Sequence, residues 1–447
     1  MHDILPEDQR IWERIRALAK TLSDAYGFER IDTPHLESSE LFSVGVGRAT
    51  DIVSKQLFSL KTRGGDALTL RPEGTAPVAR AFVEHGMWNL PQPVKLYYFG
   101  SFFRHESPQR GRFREFNQWG LEIFGDEGAV ADAETAEVFY LFFRELGLKN
   151  VFVEVNSVGC KECRPHYRSE LVRYYRPKVK GLCRDCKERF SANPLRLLDC
   201  TQEKCVIVKK SAPQFLDHLC EVCKKHLSLL LEFFEELAIP YVLNPHLVRG
   251  LDYYTRTVFE FYLEAEASGA SAEGRPADAA APAGTGGEVE GALQERSPDA
   301  ARRLALASGG RYDDLVELLG GRPTPAVGGA LGVERIAALV KTFGLKIPGP
   351  AKPKVFLVQL GELAKKKSLK LMEELRRAGI TMAESLGRDS IRSQLKIADR
   401  LGVDVALIIG QKEALDQMVI IREMSSGVQE TIPQAKLIET LKKKLKR

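Results

Sequence analysis

Apolar positions along the chain fall into a few distinct rhythms. From Pro6 to Tyr26, the residues Ile11, Ile15, Leu18, Ala19 and Leu22 recur at helical spacing, which predicts an amphipathic helix stopped by Gly27. The segment from Tyr26 to Glu37 then reads as a helix end leading into an edge strand broken by Pro34. Leu68 to Leu70 is a short strand that ends in the sharp polar turn Arg71-Pro72-Glu73-Gly74-Thr75. Phe99 to Phe124 is aromatic-rich at both ends and carries Pro108 and Gly111 in its middle, so two antiparallel strands around a turn are predicted. A helix over Val130–Leu146 and a strand over Val151–Val155 follow, then a largely helical stretch from Gly159 to Leu237. Leu247 to Glu260 is a β-rich run, and Pro325 to Arg335 reads as a strand entering a helix.

Between Leu263 and Ala307 the pattern lapses. Ala, Gly, Glu, Pro and Ser dominate, and such composition buries too little apolar surface to offset chain entropy, so 265–303 is expected to be a disordered loop. Pro348, Gly349 and Pro350 mark a linker within Phe343–Pro353. Beyond it, strands at Val355–Gln359, near Ile380, at Val405–Ile409, near Met418–Arg422 and at Val428–Ile432 interleave with helices near Leu363–Ala378, at Ile391–Leu401 and at Gln434–Lys446. That alternation predicts a separate α/β domain.

At 447 residues the chain exceeds what one compact core accommodates. The expected organisation is an α+β domain with an antiparallel sheet over 1–158 and 238–345, a helical Cys-rich insertion over 159–237, and a C-terminal α/β domain over 351–447. No apolar run approaches the roughly 18 residues that span a bilayer, and Met1–Asp8 lacks the features of a signal peptide, so a cytoplasmic enzyme is expected. The net charge of +5 permits a polyanionic partner without requiring one. Lys442–Arg447 fits a solvated helix end as well as a contact to RNA phosphates. A Walker A sequence is absent, and Gly45-Val46-Gly47 lacks the third glycine of a dinucleotide fingerprint.

The eight cysteines are confined to one region: Cys160, Cys163, Cys183, Cys186, Cys200, Cys205, Cys220 and Cys223. Three Cys-x-x-Cys pairs in a chain expected in a reducing compartment read as metal knuckles rather than disulfides. Four thiolates hold one zinc, so the count suffices for one or two structural sites. Eight free thiols are the alternative.

Candidate chemistry gathers in the aromatic hairpin and the polar turns. Arg104, Arg110, Arg112 and Arg114 crowd the hairpin turn, and arginine forks grip phosphates bidentately. On the second strand, Arg112, Gln118, Gly120 and Glu122 share one face by alternation, with Gly120 leaving room for a ligand over the backbone. Glu73 and Thr75 offer a charge and an acceptor oxygen to an ammonium group. A solvated hairpin and exposed turn carboxylates would carry the same local composition.

Phe103-Arg104-His105-Glu106, a loop, and Arg112-Phe113-Arg114-Glu115-Phe116 resemble motif 2 of class II aminoacyl-tRNA synthetases. With Gln118 and Leu121–Gly125, the form is similar to that of the histidyl-tRNA synthetase family. Arg249-Gly250-Leu251-Asp252-Tyr253-Tyr254 resembles that family's first histidine signature, and Ser308–Leu315 its second, with Asp314 in place of a glycine. Tyr26–Glu37 resembles motif 1, a dimer interface in the class, and Pro325–Arg335 resembles motif 3. Gly329 stands where the family has a bulky apolar residue, which is expected to widen the nucleotide pocket. The family has Arg-Gly-Thr before the position of Asp3; its absence suggests a truncated start.

The resemblance implies a catalytic domain of the class II synthetase type, with an antiparallel sheet. It implies a helical insertion over the tRNA acceptor stem and an anticodon-binding C-terminal domain. Activity would be activation of L-histidine with ATP and transfer to histidine tRNA by a homodimer, with Mg²⁺ on the triphosphate. Arg104 and Arg249 would be catalytic, with Arg104, Arg112 and Arg335 on ATP. Glu73, Thr75, Gln118, Glu122, Tyr254 and Tyr312 would hold histidine, and Gln109 would meet the tRNA acceptor end. An inactive paralogue serving as the regulatory subunit of ATP phosphoribosyltransferase shares this fold. A class II synthetase specific for proline or threonine is the other rival.

Overall fold

The computed structural model describes residues 3–47, 50–106, 113–264, 305–348, 353–385 and 390–445. The loop expected over 265–303, and the candidate residues Gln109 and Arg112, lie outside the described residues. The chain divides into two compact units, Met1–Lys346 and Ile347–Arg447.

In chain order the first unit carries β1 (Glu29–Arg30), β2 (Leu36–Ser38), β3 (Phe58–Lys61), β4 (Ala67–Leu70), β5 (Val94–Phe103), β6 (Glu115–Phe124), β7 (Val151–Ser157), β8 (Tyr241–Leu243), β9 (Thr255–Leu263), β10 (Ala307–Arg311) and β11 (Ala326–Gly332). Eight of these form one sheet in the order β1-β5-β6-β11-β10-β9-β7-β8. Its centre is antiparallel, and the outermost pairs, β1 with β5 and β7 with β8, are parallel. The short strands β2, β4 and β3 make a separate antiparallel sheet that delivers the Arg71–Thr75 turn.

The first helix, Pro6–Ala25, buries Trp12, Ile15, Leu18, Ala19 and Leu22, which is the expected stripe with Trp12 taking the place of half-buried Ile11. Trp119 of β6 is fully buried against Phe139 and Phe142 of the helix Ala129–Leu146. Its indole N–H donates to Ser23 Oγ at 3.1 Å, so one aromatic ties the sheet to the first helix. Each such buried aromatic or aliphatic side chain contributes about 1.5–3 kcal/mol.

The β-rich run expected over Leu247–Glu260 is a strand only from Thr255 onward. Alternation fails before that point, because Leu247 and Val248 are both buried, as are Tyr253 and Tyr254. The segment folds back as a loop, with the Asp252 amide donating to the Val46 carbonyl at 3.1 Å. A bulge at Arg256, whose φ of 48° is left-handed, then starts β9.

The insertion is helical, with helices at Cys163–Tyr175, Arg184–Ala192, Glu203–Lys209 and Glu221–Glu236. Its last helix reaches the sheet. His226 Nε2 lies 3.3 Å from Asp132, which is fully buried and paired with the equally buried Arg311. Arg311 also donates to the Asp126 carbonyl at 2.8 Å and the Gly128 carbonyl at 2.9 Å. Burial pushes the Asp132 carboxyl up, but the Arg311 charge and the His226 contact outweigh it and hold the group down to about 2.

The second unit holds β12 (Val355–Gln359), β13 (Met382–Glu384), β14 (Val405–Ile409), β15 (Met418–Glu423) and β16 (Gln429–Pro433) in the order β13-β12-β14-β15-β16. Apolar clusters cover both faces of this sheet. The strand expected near Ile380 begins two residues later, at Met382, and the last helix is a short 3₁₀ turn followed by Leu437–Lys444.

Candidate active site

Four elements converge on one buried pocket in the first unit. The Arg71–Thr75 turn supplies Glu73 and Thr75, β6 supplies Gln118 and Glu122, and the loop before β9 supplies Tyr253 and Tyr254. The end of β10 supplies Tyr312.

Glu73 is only 4% exposed, unlike a solvated turn carboxylate. Its oxygens accept the amides of Thr75 at 2.8 Å and Ala76 at 2.9 Å, the free N–H groups at the start of the helix Thr75–Glu84. The Tyr253 hydroxyl lies 3.4 Å away. Burial raises the Glu73 pKa against the pull of those donors. A carboxylate has about four acceptor sites, so it retains capacity for a further donor.

Glu122 is fully buried. The Thr75 hydroxyl donates to one of its oxygens at 2.7 Å, and the Tyr312 hydroxyl donates to the other. Burial pushes its carboxyl up to about 8 despite those donors, and neighbouring Glu73 adds to the rise. Gln118 sits on the same face of β6 two positions before Gly120, and its Oε1 is buried with no hydrogen-bond partner among the described residues.

The floor is Tyr98, which pairs with Gly120 across β5 and β6. A Cβ at Gly120 would fall 2.2 Å from the Tyr98 ring, and one at Gly74 would fall equally close. Gly328 of β11 faces Glu122, where a Cβ would come within 1.8 Å of its carboxylate. Gly329, expected to widen the nucleotide pocket, instead lies on the other face of the sheet. A Cβ there would meet Phe139 at 3.0 Å, and that ring occupies the space. The register explains this: Gly328 pairs with Glu122 and Gly329 with Leu121.

Arg104 donates through Nε to the Pro72 carbonyl at 2.8 Å and lies over the Phe116 ring, at the mouth of the Glu73 turn. Arg249 pairs with Glu260 of β9, donates to Ser308 Oγ of β10 at 2.8 Å, and lies over the Tyr254 ring. Its Nε is buried with no partner among the described residues. A cavity of about 260 Å³ opens beside Arg249 and Tyr254, with Arg164, Asn193 and Arg196 of the insertion on its other side. Arg335 donates to the Ala305 carbonyl at 2.7 Å. β11, which leads into the Arg335 helix, ends beside Gln118, since Gly332 pairs with that residue.

Thus Glu73, Thr75, Glu122, Tyr312 and, through the Tyr253 ring, Tyr254 form one cluster. Local reading of the sequence missed Tyr98, Tyr253, Glu260 and Ser308. A glycine between polar residues on β6 was the one available sign of Tyr98, since something had to fill that space. Asn117 and Glu334 were also missed; the Asn117 amide donates to both Glu334 oxygens, at 2.8 and 2.9 Å, which locks β6 to the helix Val333–Thr342.

Comparison with known proteins gives a consistent result. Residues 1–275 match the family model described as histidyl-tRNA synthetase, and residues 354–444 match an anticodon binding domain. A histidine–tRNA ligase of Dehalococcoides mccartyi is 43% identical over 443 residues, spanning 99% of this chain and 98% of the relative. The crystal structure of apo Staphylococcus aureus histidyl-tRNA synthetase aligns with a TM-score of 0.76 at 32% identity, covering 99% of this chain and 98% of that one. A Bacillus halodurans protein described as an ATP phosphoribosyltransferase regulatory subunit/histidyl-tRNA synthetase aligns with a TM-score of 0.59 at 22% identity, over 92% of this chain and 97% of that one. That likeness shows the fold alone.

Proposed function

The chain belongs to the histidyl-tRNA synthetase family, and from that premise we propose how its pocket performs the reaction. The activity is that of a histidine–tRNA ligase, which forms histidyl-adenylate and pyrophosphate from histidine and ATP and then acylates tRNA with release of AMP. The regulatory-paralogue reading has less support, because relatives of full length are ligases and the anticodon-binding unit is present.

In the first step a carboxylate attacks the α-phosphorus of ATP, so no general base is needed. What the step demands is alignment of two anions and compensation of the charge that builds on the phosphate. Arg104 and Arg249 are assigned that charge, and Arg112 and Arg335 the nucleotide, which enters as its magnesium complex. Glu73, with acceptor capacity left over from its helix cap, takes the α-ammonium together with Gln118 Oε1 and the Thr75 oxygen.

Glu122, Tyr254 and Tyr312 take the imidazole. The observation that carries this assignment is Glu122, fully buried between two hydroxyl donors, with a carboxyl pushed up to about 8. A group that binds its proton near neutrality can share it with an imidazole, whose ordinary pKa of about 6.5 lies close by. A site built around a hydrogen-bonding partner rejects side chains that lack one.

In this reading residues 1–158 and 238–345 are the catalytic domain and 159–237 the insertion over the acceptor stem. Residues 351–447 hold the anticodon, and Gln109 meets the acceptor end. The enzyme works in the cytoplasm as a homodimer joined through the Tyr26–Glu37 segment, where β1 forms a sheet edge. Among the described residues no helix is long and apolar enough to cross a membrane.

Pyrophosphate exchange with a panel of amino acids tests the assignment. Histidine should support exchange far above every other amino acid; a comparable response to proline or threonine, or none to any, would refute it.

A further inference from the structure

The eight cysteines do not form one patch. They sort into two groups of four: Cys160, Cys163, Cys220 and Cys223, and separately Cys183, Cys186, Cys200 and Cys205. Within each group all sulfurs lie within 4.8 Å of one another. We propose that each group binds one zinc ion through four thiolates, and that the two ions together clamp the insertion onto the Arg249–Arg256 segment of the histidine pocket.

The geometry is that of a tetrahedral ion site. Sulfurs about 2.3 Å from a central zinc stand about 3.8 Å apart along the edges of the tetrahedron. Cys160 and Cys163 are 3.6 Å apart, Cys160 and Cys220 3.8 Å, and Cys183 and Cys200 3.8 Å. A disulfide would draw two sulfurs to about 2.05 Å and leave the other two of each group without a role. An iron–sulfur cube would hold its thiolates farther apart, because they attach to its outer corners.

Backbone amides point at the sulfurs, as they do around thiolate ligands. The Cys220 amide donates to Cys163 Sγ at 3.1 Å, and the Cys183 amide to Cys205 Sγ at 3.3 Å. Zinc displaces the thiol protons and leaves each site a net dianion. A basic group stands beside the second site to offset part of it: Lys209 Nζ donates to the Leu198 carbonyl at 2.9 Å and the Cys200 carbonyl at 3.3 Å.

Position in the fold gives each site its task. The first group joins the entry of the insertion, just after β7, to its exit at the helix Glu221–Glu236, and so closes the insertion at its base. Arg164, which directly follows Cys163, donates to the Tyr254 carbonyl. The second group braces the short helices Arg184–Ala192 and Glu203–Lys209, which bury little of their own surface. Between its ligands lie Asn193, which donates to Asp252 at 2.7 Å, and Arg189 and Arg196, which donate to Asp51 at 2.9 and 2.8 Å. Both sites therefore hold side chains that grip the loop carrying Arg249 and Tyr254.

The metal content and the effect on histidine are tested separately, because only the second rests on the proposed assignment of the pocket. Full-length protein purified without chelators should carry two zinc ions per chain, one for each group. Cys220→Ser with Cys223→Ser, and Cys183→Ser with Cys186→Ser, should each reduce that content to one. If a double variant fails to fold, cobalt exchanged into the wild-type chain should show the thiolate charge-transfer and tetrahedral bands of two such sites. Fewer than two zinc ions per chain, iron as the resident metal, or cobalt bands of octahedral type would overturn the sites. Loss of the second zinc should raise the KM for histidine in pyrophosphate exchange roughly 10–100-fold while leaving the KM for ATP nearly unchanged. Asn193→Ala should keep both zinc ions and raise the histidine KM in the same direction. An unchanged histidine KM in both variants would overturn the positioning role, whatever the metal count.

Discussion

In β12 and β14 of the C-terminal unit every residue is buried, and Gln359 is the one polar side chain among them. Its backbone amide and carbonyl are both met by the side chain of Gln394, and its own side chain donates to the half-buried Glu384 carboxylate at 2.7 Å, so no charged side chain is fully buried in β12 or β14. In the sheet of the first unit, β6 buries Glu122 and β10 buries Arg311 completely, with Asp132 pressed against the sheet from a helix. Burying a charge costs more than its pairing usually returns, whereas apolar packing stabilises outright. The first sheet is built for stability. The second gives some of it up, and does so where the pocket is.

The sharpest way to break that contrast is at Arg249. Arg249→His should slow adenylate formation by about 10²–10³, as loss of one preorganised charge donor does, and should slow transfer from preformed adenylate less. Single-turnover measurement of each step decides. Equal losses would mean that Arg249 serves only to neutralise Glu260, and the catalytic sheet would then be no more functional than the other.

Glu122→Gln probes the same sheet without a change of shape. Histidine kcat/KM should fall by about 10²-fold, because one partner of a buried polar site is mismatched. Stability should respond in a specific direction with pH. The folded protein keeps a proton that the unfolded chain releases near 4.5, so Glu122 stabilises the fold at low pH and that contribution is lost as pH rises toward about 8. The melting temperature of the wild type should therefore decline across this window more steeply than that of the variant. Parallel pH profiles would show that Glu122 titrates normally.

The smallest effect is expected in the apolar sheet. Ile409→Val removes one methylene from a fully buried site and should destabilise the C-terminal unit by about 0.5–1.5 kcal/mol in denaturant melts. Pyrophosphate exchange should stay at the wild-type rate. A change in exchange would show that the two units share more than a chain.

Periodicity located helices such as Pro6–Ala25, whose buried stripe shows in local spacing, whereas β5, β6 and β12 were legible from β-prone, apolar composition bounded by turn residues. Segments whose conformation answers to distant partners were harder. Leu247–Tyr254 has strand composition, yet it loops so that two adjacent tyrosines can both face inward. Glu73, Thr75, Gln118, Glu122, Tyr254 and Tyr312 were readable because they stand within motifs. Their partners were not: Ser308 of β10 meets Arg249 from the loop before β9, and His226 meets Asp132 from the insertion. The cysteines show the same limit. Spacing counted the thiols, while only the fold could sort Cys160 with Cys220 rather than with Cys183.

Tyr98 and its two glycines carry a consequence for how this protein can change over generations. The ring lies where side chains at Gly74 and Gly120 would begin, so the three positions share a single volume. A mutation that adds even a methyl group at either glycine collides with the ring, and one that shrinks the ring leaves a hole under the carboxylates. Neither intermediate is neutral. Lineages that alter this floor must cross it by paired substitutions, so the three sites are inherited together as one unit and should co-vary among descendants that recognise a different amino acid.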